Sequence, residues 1–151
     1  MEKAEKAKQN FLSGMNCAQA VLCAFEPECG LDHETALKLA SGFGGGMARM
    51  REICGAVSGM FMAADLIFGP GASSGKTAKD SHYAVLQKLA DQFRRETGSI
   101  ICRVMLGLDQ NGPDNPVSEA RTEAYYRKRP CAELCALAAA ILENHLQNEI
   151  S

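Results

Sequence analysis

The sequence predicts an all-α fold, a helical bundle in a single domain that spans residues 1–151. Apolar residues recur at helical spacing in most segments, and only one segment is ambiguous between helix and strand. The length suits one domain. Hydrophobic residues make up 46% of the chain. A chain of this size buries about 70% of the surface that its unfolded form exposes, so it can hold a core without disulfides.

Three helices are predicted in the first 40 residues. Residues 4–12 form a polar helix, and residues 17–25 form a short apolar helix that ends at Glu26-Pro27. A third helix covers residues 35–40. Asp32 is its predicted N-cap, because its carboxylate can accept hydrogen bonds from the free backbone amides of the first turn.

The two central helices differ in their predicted burial. Residues 54–68 are almost wholly apolar, which indicates burial on most sides. Residues 77–97 form the longest helix, and its apolar face includes Leu89 and Phe93. Gly98 is the predicted C-cap of that helix.

The last third of the chain begins with the ambiguous segment, residues 100–106, which is short and apolar. Residues 111–116 form a loop by composition. Ser118 is predicted to cap a polar helix that runs to Lys128, and Pro130 suits the first turn of a final helix. One face of that final helix is predicted to hold Leu134, Ala138, Ile141, Leu142 and His145.

Composition excludes several functional classes. The formal net charge is −2, which does not favour nucleic acid or an acidic membrane surface as a partner. No apolar run reaches the roughly 18 residues of a membrane span. The charged N-terminal residues lack the apolar core of a signal peptide. We therefore expect a cytoplasmic protein without membrane insertion.

Two glycine-rich segments resemble nucleotide-binding motifs without matching them. Residues 71–77 approach a phosphate-binding loop, but Pro70 stands where its first glycine belongs. Residues 42–47 start a dinucleotide fingerprint, but Met47 replaces its third glycine. We interpret the first segment as a loop between helices. Three separated histidines are predicted to be surface or face-edge residues rather than ligands: His33, His82 and His145.

Seven cysteines are many for a chain of this length: Cys17, Cys23, Cys29, Cys54, Cys102, Cys131 and Cys135. Permanent disulfides are rare in a reducing cytosol, and an odd number cannot pair completely within one chain. There is no Cys-x-x-Cys pair, which argues against a thioredoxin motif and a zinc ribbon. The cysteines therefore pack, bind a metal or carry redox chemistry.

Cys54 has the strongest local setting. It follows Arg49 and Arg51, and it lies at the predicted start of an apolar helix. A helix N-terminus and nearby cations favour a thiolate, the form that attacks disulfides and binds metals. We predict that the glycines of the preceding loop and the two arginines help to bind a substrate or cofactor. Those glycines are Gly44, Gly45 and Gly46. The alternative is that Cys54 is a small buried packing residue.

Small residues follow Cys54 at helical spacing. Gly55 and Gly59 are four positions apart, and Ala63 continues the row. Such a row permits close helix approach. We predict that it lets another helix bring its side chains near Cys54, and simple tight packing is compatible with this role.

Three other cysteines are predicted to share this setting. Cys17, Cys102 and Cys131 also fall near element N-termini, and cationic neighbours accompany Cys54, Cys102 and Cys131. These placements predict a shared electropositive pocket. The remaining cysteines are interpreted as structural or incidental, although Cys135 lies one turn after Cys131 and could join the site. They are Cys23, Cys29 and Cys135.

These residues resemble the C-GCAxxG-C-C family of redox-active proteins. The segment from Cys54 to Gly59, Cys-Gly-Ala-Val-Ser-Gly, matches the family motif Cys-Gly-Ala-x-x-Gly. Cys17, Cys102 and Cys131 correspond in order to the other three family cysteines. The resemblance covers nearly the whole chain. It implies redox activity and an association with transport systems, and related domains are linked with iron–sulfur centres.

Three functional hypotheses remain open at this point. The first is a thiol-dependent oxidoreductase or electron carrier in which Cys54 attacks and another family cysteine resolves the mixed disulfide. Its partner would be a redox protein or a small molecule. The second is an iron–sulfur or zinc site with the same four cysteines as ligands. The third is a helical interaction protein whose cysteines only pack. A homo-oligomer is compatible with each.

Overall fold

A computed structural model describes residues 2–72, 75–109 and 112–150, and the side chains of these residues except 149 and 150. Within these ranges the chain forms helices and no strand. The prediction of an all-α fold is therefore confirmed. The helices are α1 (Glu2–Leu12), α2 (Cys17–Ala24), α3 (Glu26–Cys29), α4 (His33–Leu39), α5 (Gly55–Phe68), α6 (Gly75–Thr97), α7 (Cys102–Met105), α8 (Glu123–Lys128) and α9 (Cys131–Ile150).

The short helix α2 lies at the centre of the bundle. It packs against α1, α5 and α9, and α1 also lies along α9. Seven of its eight residues are buried, and the eighth is its one polar residue, Gln19. The largest fully buried side chains around it include Phe11, Leu22, Met60 and Leu142. The family cysteine at the start of α2 is therefore held by the core itself.

The small-residue row on α5 sets how closely α2 can approach. A Cβ atom added at Gly55 would lie 2.9 Å from the Cβ of Cys17. One added at Gly59 would lie 2.6 Å from the carbonyl oxygen of Ala18. Real Cβ atoms do not come so near to backbone, so only glycine fits at Gly59. The predicted close helix approach is confirmed, and it brings Cys17 beside the start of α5.

Side-chain caps fix where α2 and α4 begin. The side chain of Asn16 accepts a hydrogen bond from the Gln19 amide (2.8 Å), and the Gln19 side chain accepts one from the Asn16 amide (3.0 Å). This reciprocal pair is a capping box. Asp32 accepts a hydrogen bond from the Thr35 amide (3.1 Å), which confirms its predicted cap.

Helix α2 ends before Glu26-Pro27, as predicted. The sequence did not predict the short helix α3 that follows, in which Pro27 lies in the first turn and needs no amide hydrogen bond. Thr122, rather than Ser118, caps α8, since its hydroxyl accepts a hydrogen bond from the Tyr125 amide (3.1 Å). The ambiguous segment 100–106 combines both types: Ile101 forms an isolated antiparallel bridge with Ile53, and α7 follows.

Parts of two predicted loops lie outside the described residues. These parts are Asn111 of the segment 111–116, and Ser73 and Ser74 of the segment 71–77. Of the described residues in these two segments, Gly71, Ala72 and residues 112–116 are not helical. Helix α6 begins at Gly75. No helix in the described part of the chain is both long enough and apolar enough to cross a membrane.

Candidate functional site

Four helix starts meet at one cavity of about 330 Å³. Its wall contains the four family cysteines, and we call it the thiol cavity: Cys17, Cys54, Cys102 and Cys131. Three of them are the first residues of α2, α7 and α9, and Cys54 is the N-cap residue of α5. The prediction that all four lie near helix N-termini is therefore confirmed. Three are buried, and Cys131 is partly exposed.

Among the thiols of the cavity wall, Cys17 and Cys131 interact most strongly. An interaction between their side chains lowers the pKa of Cys17 and raises that of Cys131. Cys135 also reaches Cys17: its thiol donates to the Cys17 carbonyl oxygen at 3.8 Å. Cys54 and Cys102 influence Cys131 and each other only through space. Cys17 and Cys131 are therefore the interacting pair of the cavity wall, with Cys54 and Cys102 on the same wall.

The predicted thiolate at Cys54 was wrong. Burial raises the pKa of Cys54 to about 12, and the backbone amides of Ala56 and Val57 at the start of α5 only partly offset it. Neither arginine named by the sequence bonds to this thiol. Desolvation of the thiolate raises the pKa more than the amides of the helix N-terminus lower it, because a sulfur on the inner side of a packed helix has lost its hydration.

The pKa values of the other three cavity thiols are also raised, and burial contributes to each increase. Burial raises the pKa of Cys102, although a hydrogen bond from Arg51 opposes the increase. The hydrogen bond with Cys17 and then burial raise the pKa of Cys131, and Arg129 and Arg121 act in the opposite direction. The hydrogen bond with Cys131 lowers the pKa of Cys17, but contact with Cys135 and burial raise it well above the ordinary value. All four are neutral thiols at pH 7.

The glycine-rich loop brings Cys102 against the cavity wall. Gly45 and Gly46 have left-handed backbones, with φ of 65° and 71°. A Cβ atom added at Gly46 would lie 2.6 Å from the Cβ of Cys102, and one at Gly44 would lie 2.5 Å from the Cβ of Asn16. The predicted glycines therefore line the cavity because larger residues would collide with its walls.

The left-handed backbone continues through four residues that are not glycine: Met47, Ala48, Arg49 and Arg51. Such conformations cost about 1–2 kcal/mol per residue for L-amino acids. Hydrogen bonds across the turn hold them, from the amide of Arg49 to the Gly44 carbonyl (3.2 Å) and from the amide of Arg51 to the Gly45 carbonyl (3.2 Å). The strain is concentrated in the segment that carries both predicted arginines.

Backbone pairing after the loop brings two cysteines together. The Cys54 amide donates to the Ile100 carbonyl at 2.8 Å, and the Cys102 amide donates to the Glu52 carbonyl at 2.6 Å. These bonds flank the bridge between Ile53 and Ile101. The second and third family cysteines are therefore placed by an antiparallel contact between distant segments, of which only residues 100–106 were ambiguous between helix and strand in the sequence.

The two predicted arginines bind a carboxylate rather than Cys54. The guanidinium groups of Arg49 and Arg51 donate to one oxygen of Asp114, at 3.2 and 3.0 Å. Arg51 also donates to the sulfur of Cys102 at 3.7 Å, and its Nε atom is buried without a hydrogen-bond partner. Arg51 is thus the cation that acts directly on a cavity thiol.

Sequence reasoning missed the opposite wall of the cavity. Arg121 donates to the carbonyl oxygens of Phe11 (3.2 Å) and Met15 (3.1 Å), and its guanidinium lies 5.0 Å from the ring centre of Tyr125. Arg129 is paired with Glu119. Four arginines thus face two carboxylates, so the wall has an excess of positive charge. Only the cationic residues just before Cys131 hinted at this in the sequence.

The histidines lie away from the thiol cavity. His33 is paired with Glu26, and His82 is paired with Asp65. His145 stacks obliquely on Phe68, with the ring centres 5.5 Å apart. Among the described residues that line the cavity there is no histidine, so its chemistry rests on sulfur and arginine.

A family model described as "Putative redox-active protein (C_GCAxxG_C_C)" matches residues 15–145. The chain belongs to this family. The matched range contains all four cysteines of the thiol cavity, so the family pattern and the cavity coincide. No curated protein and no solved structure matches the chain.

Proposed function

We propose that this C_GCAxxG_C_C protein is a thiol–disulfide redox protein in which Cys17 and Cys131 form the reactive pair. The observation that supports this most directly is that both thiols line one cavity, at the starts of α2 and α9, where their side chains shift each other's pKa. Two cysteines on one cavity wall need little movement to form a bond. The family description as a redox-active protein agrees with this chemistry.

Cys131 is the thiol that meets the substrate. It is partly exposed, whereas Cys17 is buried. Its interaction with Cys17 and its burial raise its pKa, and Arg129 and Arg121 favour the anionic form and partly offset that increase. This assignment replaces the sequence-based hypothesis that Cys54 attacks, because Cys54 is buried and no arginine opposes the increase in its pKa.

The reaction is an exchange of disulfide bonds. The Cys131 thiol first loses its proton to water, and the resulting thiolate attacks one sulfur of a substrate disulfide. The substrate S–S bond breaks, and the first substrate thiolate leaves and takes up a proton. The Cys17 thiol then loses its proton and attacks the Cys131 sulfur, which releases the second substrate thiol. The protein dithiol is oxidised by two electrons, and the substrate disulfide is reduced to two thiols.

The cavity wall indicates which substrates fit. Arg49, Arg51, Arg121 and Arg129 outnumber the two carboxylates that pair with them, so an anionic disulfide is favoured over a cationic one. The glycines at 44–46 line the same cavity, and Gly46 packs directly against Cys102. We assign these residues to substrate binding, as the sequence suggested for the loop.

A second candidate function is an iron–sulfur cluster held by the same four cysteines. Four thiols that come from four separate helix starts to one cavity favour it, since cluster ligands are cysteine thiolates and the arginines would balance their charge. A single zinc ion fits less well. Zinc–sulfur bonds of about 2.3 Å bring the sulfurs within about 4 Å of one another. In the described residues, three potential ligand atoms lie within 4.8 Å of one another at a different place, and not in this cavity.

Disulfide mapping tests the proposed function. The full chain is reduced, oxidised mildly under anaerobic conditions, digested and analysed by mass spectrometry. We expect a peptide that links Cys17 to Cys131. Cys23→Ser serves as the control and should give the same peptide, because Cys23 does not line the cavity. If Cys17 and Cys131 both stay free while the protein is folded, the proposal is wrong. Absorption spectra of anaerobically purified protein test the cluster.

A further inference from the structure

Three side chains of different chemistry converge at a corner away from the thiol cavity. The sulfur of Cys23, a carboxylate oxygen of Glu26 and a ring nitrogen of His33 all lie within 4.8 Å of one another. The His33 Nδ1 atom is 2.5 Å from the Glu26 Oε1 atom. We call this group the α2–α4 corner. Its three residues are absent from the lining of the thiol cavity.

The backbone holds these side chains from three connected helices. Cys23 lies in the last turn of α2, Glu26 is the first residue of α3, and His33 is the first residue of α4. Gly30 turns the chain back with a left-handed φ of 69°. The Asp32 cap then fixes the start of α4. A rigid turn therefore returns His33 to the residues that precede it by seven and ten positions.

We propose that the α2–α4 corner binds a divalent transition metal ion, with zinc the best match. Thiolate sulfur, imidazole nitrogen and carboxylate oxygen are the three ligand types that zinc takes in proteins. The sulfur is buried, while the His33 side chain is 57% exposed. A metal ion can therefore enter from the His33 side, and a water molecule can occupy the fourth position.

This proposal goes beyond the redox function and departs from the sequence analysis, which treated Cys23 as incidental and His33 as a surface residue. The nearby Cys29 is not part of the site, because its thiol points to the Ala63 carbonyl oxygen at 3.7 Å. Metal binding displaces the Cys23 proton and the hydrogen bond between His33 and Glu26. The sulfur, nitrogen and oxygen atoms then bind the metal ion and no longer interact with one another.

A second histidine–carboxylate pair provides a matched control. His82 Nε2 lies 2.6 Å from the Asp65 carboxylate, nearly the same distance as in the corner. No cysteine accompanies that pair in the metal-ligand geometry of the described residues. If both histidine–carboxylate pairs only form salt bridges, loss of His33 and loss of His82 should affect zinc binding equally. If the corner is a metal site, only the loss of His33 should weaken zinc binding.

The experiment measures zinc binding to the reduced full-length protein by equilibrium dialysis and isothermal titration calorimetry. We expect His33→Ala to bind one zinc ion fewer than the wild type, or to bind it at least about 100-fold more weakly. His82→Ala should retain the wild-type stoichiometry. Because His33 does not line the thiol cavity, any metal bound there is unaffected by His33→Ala.

Cobalt(II) supplies a second measurement that identifies the ligand. The wild type should show a sulfur-to-cobalt charge-transfer band that is weaker in Cys23→Ser by the contribution of one thiolate. Glu26→Gln serves as a further variant if Cys23→Ser does not fold. Equal zinc stoichiometry and equal affinity in the wild type and His33→Ala would overturn the proposal. An unchanged cobalt spectrum in Cys23→Ser would do the same.

Discussion

The thiol cavity and the α2–α4 corner each contain a buried cysteine, but the neighbours of that cysteine differ. In the thiol cavity, Cys17 contacts other thiols, and four arginines line the wall. In the corner, Cys23 contacts a carboxylate, and an imidazole lies beside it. A second thiol allows a disulfide, whereas oxygen and nitrogen ligands complete a metal site. The comparison shows that the partners of a cysteine, more than its burial, indicate its chemistry.

The two regions also differ in how glycine shapes them. At the cavity, Gly59 is required by the approach of α2, because an added Cβ would lie 2.6 Å from the Ala18 carbonyl oxygen. At the corner, Gly30 is required only by its left-handed φ of 69°, and an added Cβ there meets nothing within 4 Å. The cavity depends on tight packing, and the corner depends on a turn.

The largest effect is therefore expected at the cavity. Gly59→Ala should lower the free energy of unfolding by about 3 kcal/mol, the upper end of the usual cost of overpacking, because α2 must move away from α5. Urea denaturation measures this. Gly71→Ala is the control, since an added Cβ at Gly71 meets nothing and its φ is ordinary. A loss at Gly59 no greater than that at Gly71 would contradict the packing described here.

A smaller loss is expected at the corner. Gly30→Ala should cost about 1–2 kcal/mol, because alanine is strained in the left-handed region. Zinc affinity should fall as well, since the turn sets the position of His33. Urea denaturation ranks the two variants by their free energy of unfolding. A larger loss in Gly30→Ala than in Gly59→Ala would contradict the claim that the cavity depends more strongly on its glycine.

Charge distinguishes individual thiols within the cavity. Arg51 donates to Cys102, whereas Cys54 has no arginine partner. Arg51→Gln should raise the pKa of Cys102 further and slow its alkylation at pH 8 by up to about tenfold, the effect of one pKa unit. Peptide mass spectrometry after timed alkylation measures each cysteine. Arg103→Gln is the control, because Arg103 binds Glu52 and the Met50 carbonyl instead. Equal rates for Cys102 in both variants would show that Arg51 does not act on it.

The dependence of stability on pH tests the burial of one thiol in each region. Burial raises the pKa of Cys54 to about 12 and that of Cys23 to about 12, from 9.0. The unfolded chain therefore loses these protons first as pH rises, and stability falls with pH above about 9. Below that range both states keep the protons, and these thiols do not alter stability. Urea denaturation of reduced protein between pH 7 and 10 measures this. A rise in stability above pH 9 would contradict the burial of these thiols.

The sequence predicted the helices and the four cavity cysteines because both depend on local patterns. Apolar spacing locates α5 and α6, and Cys54-Gly55-Ala56 locates the start of a helix. The pKa of Cys54 was predicted in the wrong direction, because the burial of its sulfur depends on the approach of α2. Asp114 and Arg121 lie far from the cysteines in sequence, and no periodicity marks residues that meet only after folding. The sequence did not predict the α2–α4 corner, because Cys23 and His33 are ten positions apart and meet only through the turn at Gly30.

A redox titration of the cavity pair tests the central claim most directly. The full chain is equilibrated in buffers of graded thiol–disulfide potential, and free thiols are counted by alkylation and intact mass. We predict a single two-electron transition in which the seven free thiols decrease by two, with Cys17 and Cys131 as the protected residues. The transition should be lost in Cys17→Ser and retained in Cys23→Ser. Free thiols at both Cys17 and Cys131 at every potential at which the protein stays folded would contradict the account.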